Sequence, residues 1–147
     1  MELSMSKNMS IAVIDGQGGG IGSEIIKKLR EHLPEDTEII ALGTNAIATA
    51  SMMRAGANKG ASGENAIIHS IGGVQLITGT AAILIGNSMM GELTAAMANA
   101  ITGSRVKKAL LPLGYENIDL IGVEKEPIPH MILKLVDRIK SYMGRPA

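Results

Sequence analysis

The densest chemical signal in the chain is "GQGGGIG", residues 16–22, which holds five glycines in seven positions. Glycine lets the backbone turn with positive φ and lets a ligand approach where a side chain would block it. The run follows a short apolar stretch, residues 9–14, and precedes a helical pattern that begins at Ile21. Gly16, Gln17, Gly18, Gly19, Gly20, Ile21 and Gly22 therefore read as a strand-to-helix turn. A helix start offers unpaired N–H groups and about half a positive charge. Such a turn suits a phosphate or pyrophosphate. The competing reading is a tight turn that needs small residues for packing alone. Asp15, directly before the loop, fits a phosphate poorly, because its carboxylate repels anions unless a cation neutralises it; capping the helix is the blander role.

Other polar residues are candidates by position. Gly79 and Thr80 end a predicted strand and would face the glycine loop across the crevice if the sheet is parallel. Thr44 and Asn45 follow a second predicted strand, where a carboxylate would bind an unphosphorylated ribose. None stands there, and Arg54 and Lys59 follow, which favours a 2′-phosphate, as in NADP, or a ligand without that ribose. Lys59, in "NKGASG", is a candidate phosphate contact. For acid–base chemistry the candidates are Glu92, set amid the apolar "GNSMMGELT", and His69, beside a glycine pair. The competing reading of Glu92 is a surface or first-turn glutamate favoured by the helix dipole. His32 and His130 read as structural. Three isolated histidines without ligand spacing, and no cysteine, give no metal site.

Three phosphate-loop patterns can be laid on these residues. The Rossmann G-x-G-x-x-G/A fits Gly18, Gly20 and Ser23 loosely. The lysine-flanked loop of ParA-like ATPases would place its two lysines at Gln17 and Gly22, which argues against ATP hydrolysis by that route. The loop most resembles T-G-x-x-x-G-I-G of short-chain dehydrogenases, with Gly16, Gly20, Ile21 and Gly22 in place and Asp15 for the threonine. That resemblance covers about 15 residues. It does not reach the family's Tyr-x-x-x-Lys pair: Tyr115 is followed four residues on by Asp119, and Tyr142 by Pro146.

The elements that must position this loop can also be read. From Ile21 the apolar residues Ile21, Ile25, Ile26, Leu29 and Leu33 make a helical stripe closed by Pro34. "TEIIALG" is a second strand and residues 45–55 a second helix, completing a βαβ unit. Residues 56–65 read as a glycine-rich loop, 64–70 as a short helix, 74–79 as a third strand, and 80–86 as strand or helix. Residues 89–101 are helical in pattern. "VKKALLPL" and "NIDLIGV" predict a hairpin, and 131–143 a last amphipathic helix opened by Pro127 and Pro129.

The bulk composition narrows the function. The 147 residues suit a single domain, 1–147. Fourteen basic and fourteen acidic residues balance, and the aromatics are two tyrosines, which disfavours nucleic acid. No run of about 20 apolar residues survives, so no membrane span is expected. "MELSMSKNMS" has no apolar leader core, so a cytoplasmic protein is expected.

Over nearly its whole length the chain resembles a family of short uncharacterised bacterial proteins, a domain of unknown function. The resemblance lies in "IDGQGGGIG", "GANKGASGENAI", and "GNSMMGELTAAMANAI" followed by "LLPL". It implies a compact bacterial α/β protein and carries nothing about reaction. The expected architecture is a three-layer Rossmann-like α/β domain, its mostly parallel sheet edged by the C-terminal hairpin. The expected function is binding of a nucleotide or dinucleotide, NADP or NAD, by a homodimer. The alternative is a non-enzymatic oligomeric module, in which residues 46–55 and 89–101 form the interface and the glycines serve packing.

Overall fold

The computed structural model describes residues 9–143. Apart from Met9 and Ser10, the N-terminal stretch read for a leader lies outside them. The first strand, β1 (Ser10–Asp15), is buried through Ile11, Ala12, Val13 and Ile14. Such a continuous apolar run marks a strand covered on both faces. It pairs in parallel with β2 (Glu38–Gly43) on one side and β4 (Leu76–Thr80) on the other. The outer strands are β3 (Lys59–Ser62) beside β2 and β5 (Lys107–Leu111) beside β4, both parallel. The order is β3-β2-β1-β4-β5, so the winding reverses between β1 and β4. In sheets of this kind ligands bind at the carboxyl ends of the strands, at that reversal.

Alternation along the strands divides the core in two. Ile11 and Val13 pack with Ile25, Ile26 and Leu29 of α1 (Gly20–His32), Met52 of α2 (Ala46–Arg54), and Ile132, Leu135 and Ile139 of α5 (Ile128–Tyr142). Ala12 and Ile14 pack on the other face with Ile67 of α3 (Glu64–Ser70) and Met97 and Ile101 of α4 (Ala95–Gly103). The result is a three-layer α/β arrangement. Helix α1 ends at Leu33 because Pro34 disfavours helical backbone in the residue before it. Helix α2 starts where Asn45 accepts the Ala48 N–H, 2.8 Å, a side-chain cap.

Four expectations need correction. Residues 59–62, read as loop, form β3; an edge strand bonded on one side needs no apolar alternation, and its exposed "KGAS" shows none. The hairpin at the other edge does not form, since residues 117–123 make no strand and the sheet is wholly parallel. Asn117 and Gly122 take positive φ, and Ile121, 94% exposed, finds no layer to cover it. The helix expected from Met89 begins only at Ala95, where the Thr94 hydroxyl accepts the Met97 N–H at 3.1 Å. Upstream, Asn87, Met89, Met90 and Gly91 all have positive φ, which a right-handed helix excludes. Residues 81–84 of the ambiguous stretch are a 3-10 turn, and 85–94 form a strap across the carboxyl edge.

Candidate functional site at the carboxyl edge of the sheet

The glycine loop leaves β1 at this edge and enters α1. Asp15 closes the strand, and its two carboxylate oxygens accept the N–H groups of Gly16 (2.8 Å) and Gly22 (2.7 Å). Gly22 is the third residue of α1, so Asp15 caps the helix from within the fold. Burial pushes the Asp15 carboxyl up from 3.8; the Gly22 and Gly16 N–H groups oppose this, and the nearby Glu92 charge adds to it.

The five glycines are small for different reasons. A Cβ on Gly16 would lie 2.5 Å from Thr44 Oγ1, 2.7 Å from Met89 Sδ and 2.9 Å from Glu92 Oε1. One on Gly19 would lie 2.7 Å from the Ala48 carbonyl oxygen, and one on Gly22 would lie 2.6 Å from Met52 Sδ. At Gly18 and Gly20 a Cβ would meet nothing within 4 Å. Packing therefore accounts for three glycines, and open space faces the other two. The N–H groups of Gly18, Gly20 and Ile21 have no hydrogen-bond partner among the described residues.

Glu92, carried by the strap, meets the loop and the end of β2 together. Its Oε1 accepts the Gln17 N–H (2.7 Å), the Thr44 hydroxyl (2.6 Å) and the Asn45 amide (2.9 Å). The Asn45 amide also donates to the Gln17 carbonyl, 3.0 Å. These donors hold the Glu92 carboxyl below 4.5, the Thr44 hydroxyl contributing most, so it stands as a carboxylate at neutral pH. Residues 44 and 92 are 48 positions apart. Glu92 stands out in the sequence as a lone acid amid apolar residues, yet nothing there pairs it with Thr44, Asn45 or the loop.

Gly79 and Thr80 also reach this edge. Gly79 has φ +151 and packs so closely that a Cβ would lie 2.6 Å from the Ile14 carbonyl oxygen. Thr80 is buried near Gly114, in the segment after β5. His69 and Lys59 are brought to the opposite edge. There they line a depression with Glu38 and Ile40, and Lys59 pairs with Glu38 at 3.4 Å. Lys59 and Glu38 open their strands, whereas the glycine loop follows the end of β1, so neither His69 nor Lys59 meets it. The larger hollows lie elsewhere; one of about 510 Å³ runs between β5 and α5 past Leu111, Val123 and Leu135.

Residues 10–144 match the family described as a domain of unknown function, DUF3842. The chain belongs to that family. No curated protein matches it. Among solved structures it is similar to a dodecameric FMN-dependent Ubix-like decarboxylase from Escherichia coli O157:H7, with TM-score 0.43 and 10% identity over 93% of this chain and 95% of that one. Among the described residues no helix is long and apolar enough to cross a membrane, and no three acidic or histidine side chains group to hold a metal.

The two carboxylates predict opposite pH effects. Glu92 is depressed in the fold, so its contribution is present above pH 4.5 and is lost as pH falls through the lower folded value. Asp15 is raised, so the fold loses stability as pH rises from 3.8 through its folded value. In urea titrations from pH 7 to 3, the advantage of wild type over Glu92→Gln is expected to shrink on acidification. At pH 7 it should amount to about 1 kcal/mol, as for hydrogen bonds to a partly exposed charged group. A difference that stays constant with pH would show that the carboxylate charge plays no part.

Proposed function

We propose that the chain binds a nucleotide-type small molecule at the carboxyl edge of its sheet, with a phosphate on the N–H groups of Gly18, Gly20 and Ile21. The observation that carries this reading is the open space at Gly18 and Gly20, directly before α1 and beside the β1–β4 reversal. Packing does not require glycine at either position. Asp15 occupies the Gly22 N–H, so the phosphate would use the first two N–H groups of the helix together with that of Gly18. NAD and NADP both remain ligands of this class. The absence of a carboxylate in the sequence after β2, which favoured NADP, loses its force because Glu92 reaches that position in space. Held as a carboxylate, Glu92 serves this edge as a hydrogen-bond acceptor.

Thermal-shift and calorimetric titration with NAD, NADP, ADP and AMP test the reading. A ligand at 100 times its Kd is expected to add about 2.7 kcal/mol to wild type. Gly20→Asp places a carboxylate in the phosphate position, and its midpoint should not move with ligand. Because a Cβ at Gly20 meets nothing, the ligand-free variant should stay folded. No shift of the wild type with any of the four compounds would overturn the proposal.

A homo-oligomeric module is the second reading, favoured by the apolar exposure of the segment between β5 and α5. Ile118, Leu120, Ile121 and Val123 are all at least 44% exposed there. Exposed apolar residues grouped along one short segment suit an interaction face. This segment joins residues 46–55 and 89–101 as a candidate interface: their Met52 and Met97 are buried in the core, whereas Ile47 and Met90 are exposed. Sizing chromatography with light scattering should give a dimer that Ile121→Asp dissociates, and a monomeric wild type would rule it out.

A further inference from the structure

We infer that Glu92 reads the ribose of the bound nucleotide, so that the ligand class is one with a free 2′,3′-diol, of NAD type, and a 2′-phosphate is excluded. The inference rests on the nucleotide reading above. In a doubly wound sheet, the group at the end of the second strand stands beside the ribose of a nucleotide whose phosphate lies on the first loop. Here that strand ends in Gly43, followed by Thr44 and Asn45, with no acid of its own. The carboxylate comes instead from the strap, and its Oε1 bridges the loop at Gln17 to the end of β2 at Thr44 and Asn45.

All three of these donors converge on Oε1. Oε2 accepts no hydrogen bond among the described residues, and no lysine or arginine pairs with Glu92 there. An ionised oxygen with no partner at this point suits a pair of ribose hydroxyls, which donate, and repels a phosphate, which does not. The strap is built to hold the side chain in place. Leu93 is fully buried, Met89 lies over Gly16, and Met89 and Met90 accept left-handed backbone at φ 57 and 56. Met90 is 94% exposed, so its own packing does not explain that conformation. Unfavourable backbone in such a strap is retained where the surroundings over-determine it.

Calorimetric titration of NAD and NADP, and of AMP and adenosine 2′,5′-bisphosphate, into wild type, Glu92→Gln and Gly20→Asp tests the inference. Wild type should bind the free-diol member of each pair tighter, on the order of a hundredfold, as expected where a like charge opposes the wrong ligand. Glu92→Gln keeps the size of the side chain and removes its charge, so it should narrow the gap at least tenfold, mainly by admitting the 2′-phosphates. Two results would overturn the inference and leave the nucleotide reading standing: equal or tighter wild-type binding of NADP that Gly20→Asp abolishes, or full discrimination retained by Glu92→Gln. Binding of none of the four compounds would overturn both.

Discussion

Gly19→Ala is expected to destabilise the protein by about 3 kcal/mol or more, whereas Gly18→Ala and Gly20→Ala leave stability unchanged or slightly raised. Two costs add at Gly19. Its φ of +71 is left-handed, which is unfavourable by about 1–2 kcal/mol for a residue with a Cβ. The new Cβ would also lie 2.7 Å from the Ala48 carbonyl oxygen and 2.9 Å from Ala48 Cα. Those are backbone atoms of α2, so no side-chain rotation relieves the contact, and overpacking of this kind costs about 1–3 kcal/mol. Gly20 is the first residue of α1, and Gly18 and Gly20 both face open space. Alanine there removes flexibility from the unfolded chain and gains up to about 1 kcal/mol where the backbone allows it. Urea denaturation of the three variants measures the contrast. Equal losses at all three sites would mean that the loop is uniformly packed, and the case for a ligand-facing pair of glycines would fall.

Arg30→Ala is expected to cost about 3–4 kcal/mol. The Arg30 guanidinium donates from Nε to the Gly56 carbonyl (2.8 Å), from Nη1 to the Thr37 carbonyl (2.7 Å) and from Nη2 to Asn58 Oδ1. Asn58 Oδ1 accepts the Ile39 N–H as well, 2.7 Å. One side chain on α1 thus ties the chain entering β2 to the chain leaving α2. Hydrogen bonds to a charged group contribute about 1.5–3 kcal/mol each, and partial exposure brings three of them to the lower total. Arg30→Lys should recover less than half, because an ammonium cannot reproduce the planar fork that reaches three acceptors in different directions. Chemical denaturation of both variants is the measurement. A loss below about 0.5 kcal/mol for Arg30→Ala would show these ties to be incidental.

Both residues bear on how much was legible in the sequence. Arg30 lies outside the apolar stripe of its helix and reads there as an ordinary surface charge; its partners are Thr37, Gly56 and Asn58, which only the packing of α1 against the β2 and α2 connections brings near. Gly19 belongs to a run whose glycines look alike, and only α2, lying against the loop, separates Gly19 from Gly18 and Gly20. The stripe of Ile25, Ile26 and Leu29, the apolar run of β1 and the helix at 64–70 were readable because each is a local period or a local stop signal. Strand β3 was not, since its four residues owe their conformation to hydrogen bonds with β2. The strap was misread for the opposite reason: its apolar residues have helical spacing, but left-handed backbone at Met89 and Met90 and the Thr94 cap delay the helix to Ala95.

By itself the sequence determined most of the alternation of strands and helices, the three-layer α/β class with a mostly parallel sheet, and the position of a glycine turn before a helix. Those properties rest on hydrophobic period and on the conformational range of glycine and proline, which act over a few residues. The tertiary structure decided which glycines face open space, that His69 and Lys59 stand at the far edge, and that Glu92 meets Thr44 and Asn45 across 48 positions. Each of these depends on which elements pack together at an edge of the sheet, and that arrangement is fixed by long-range burial rather than by any local pattern.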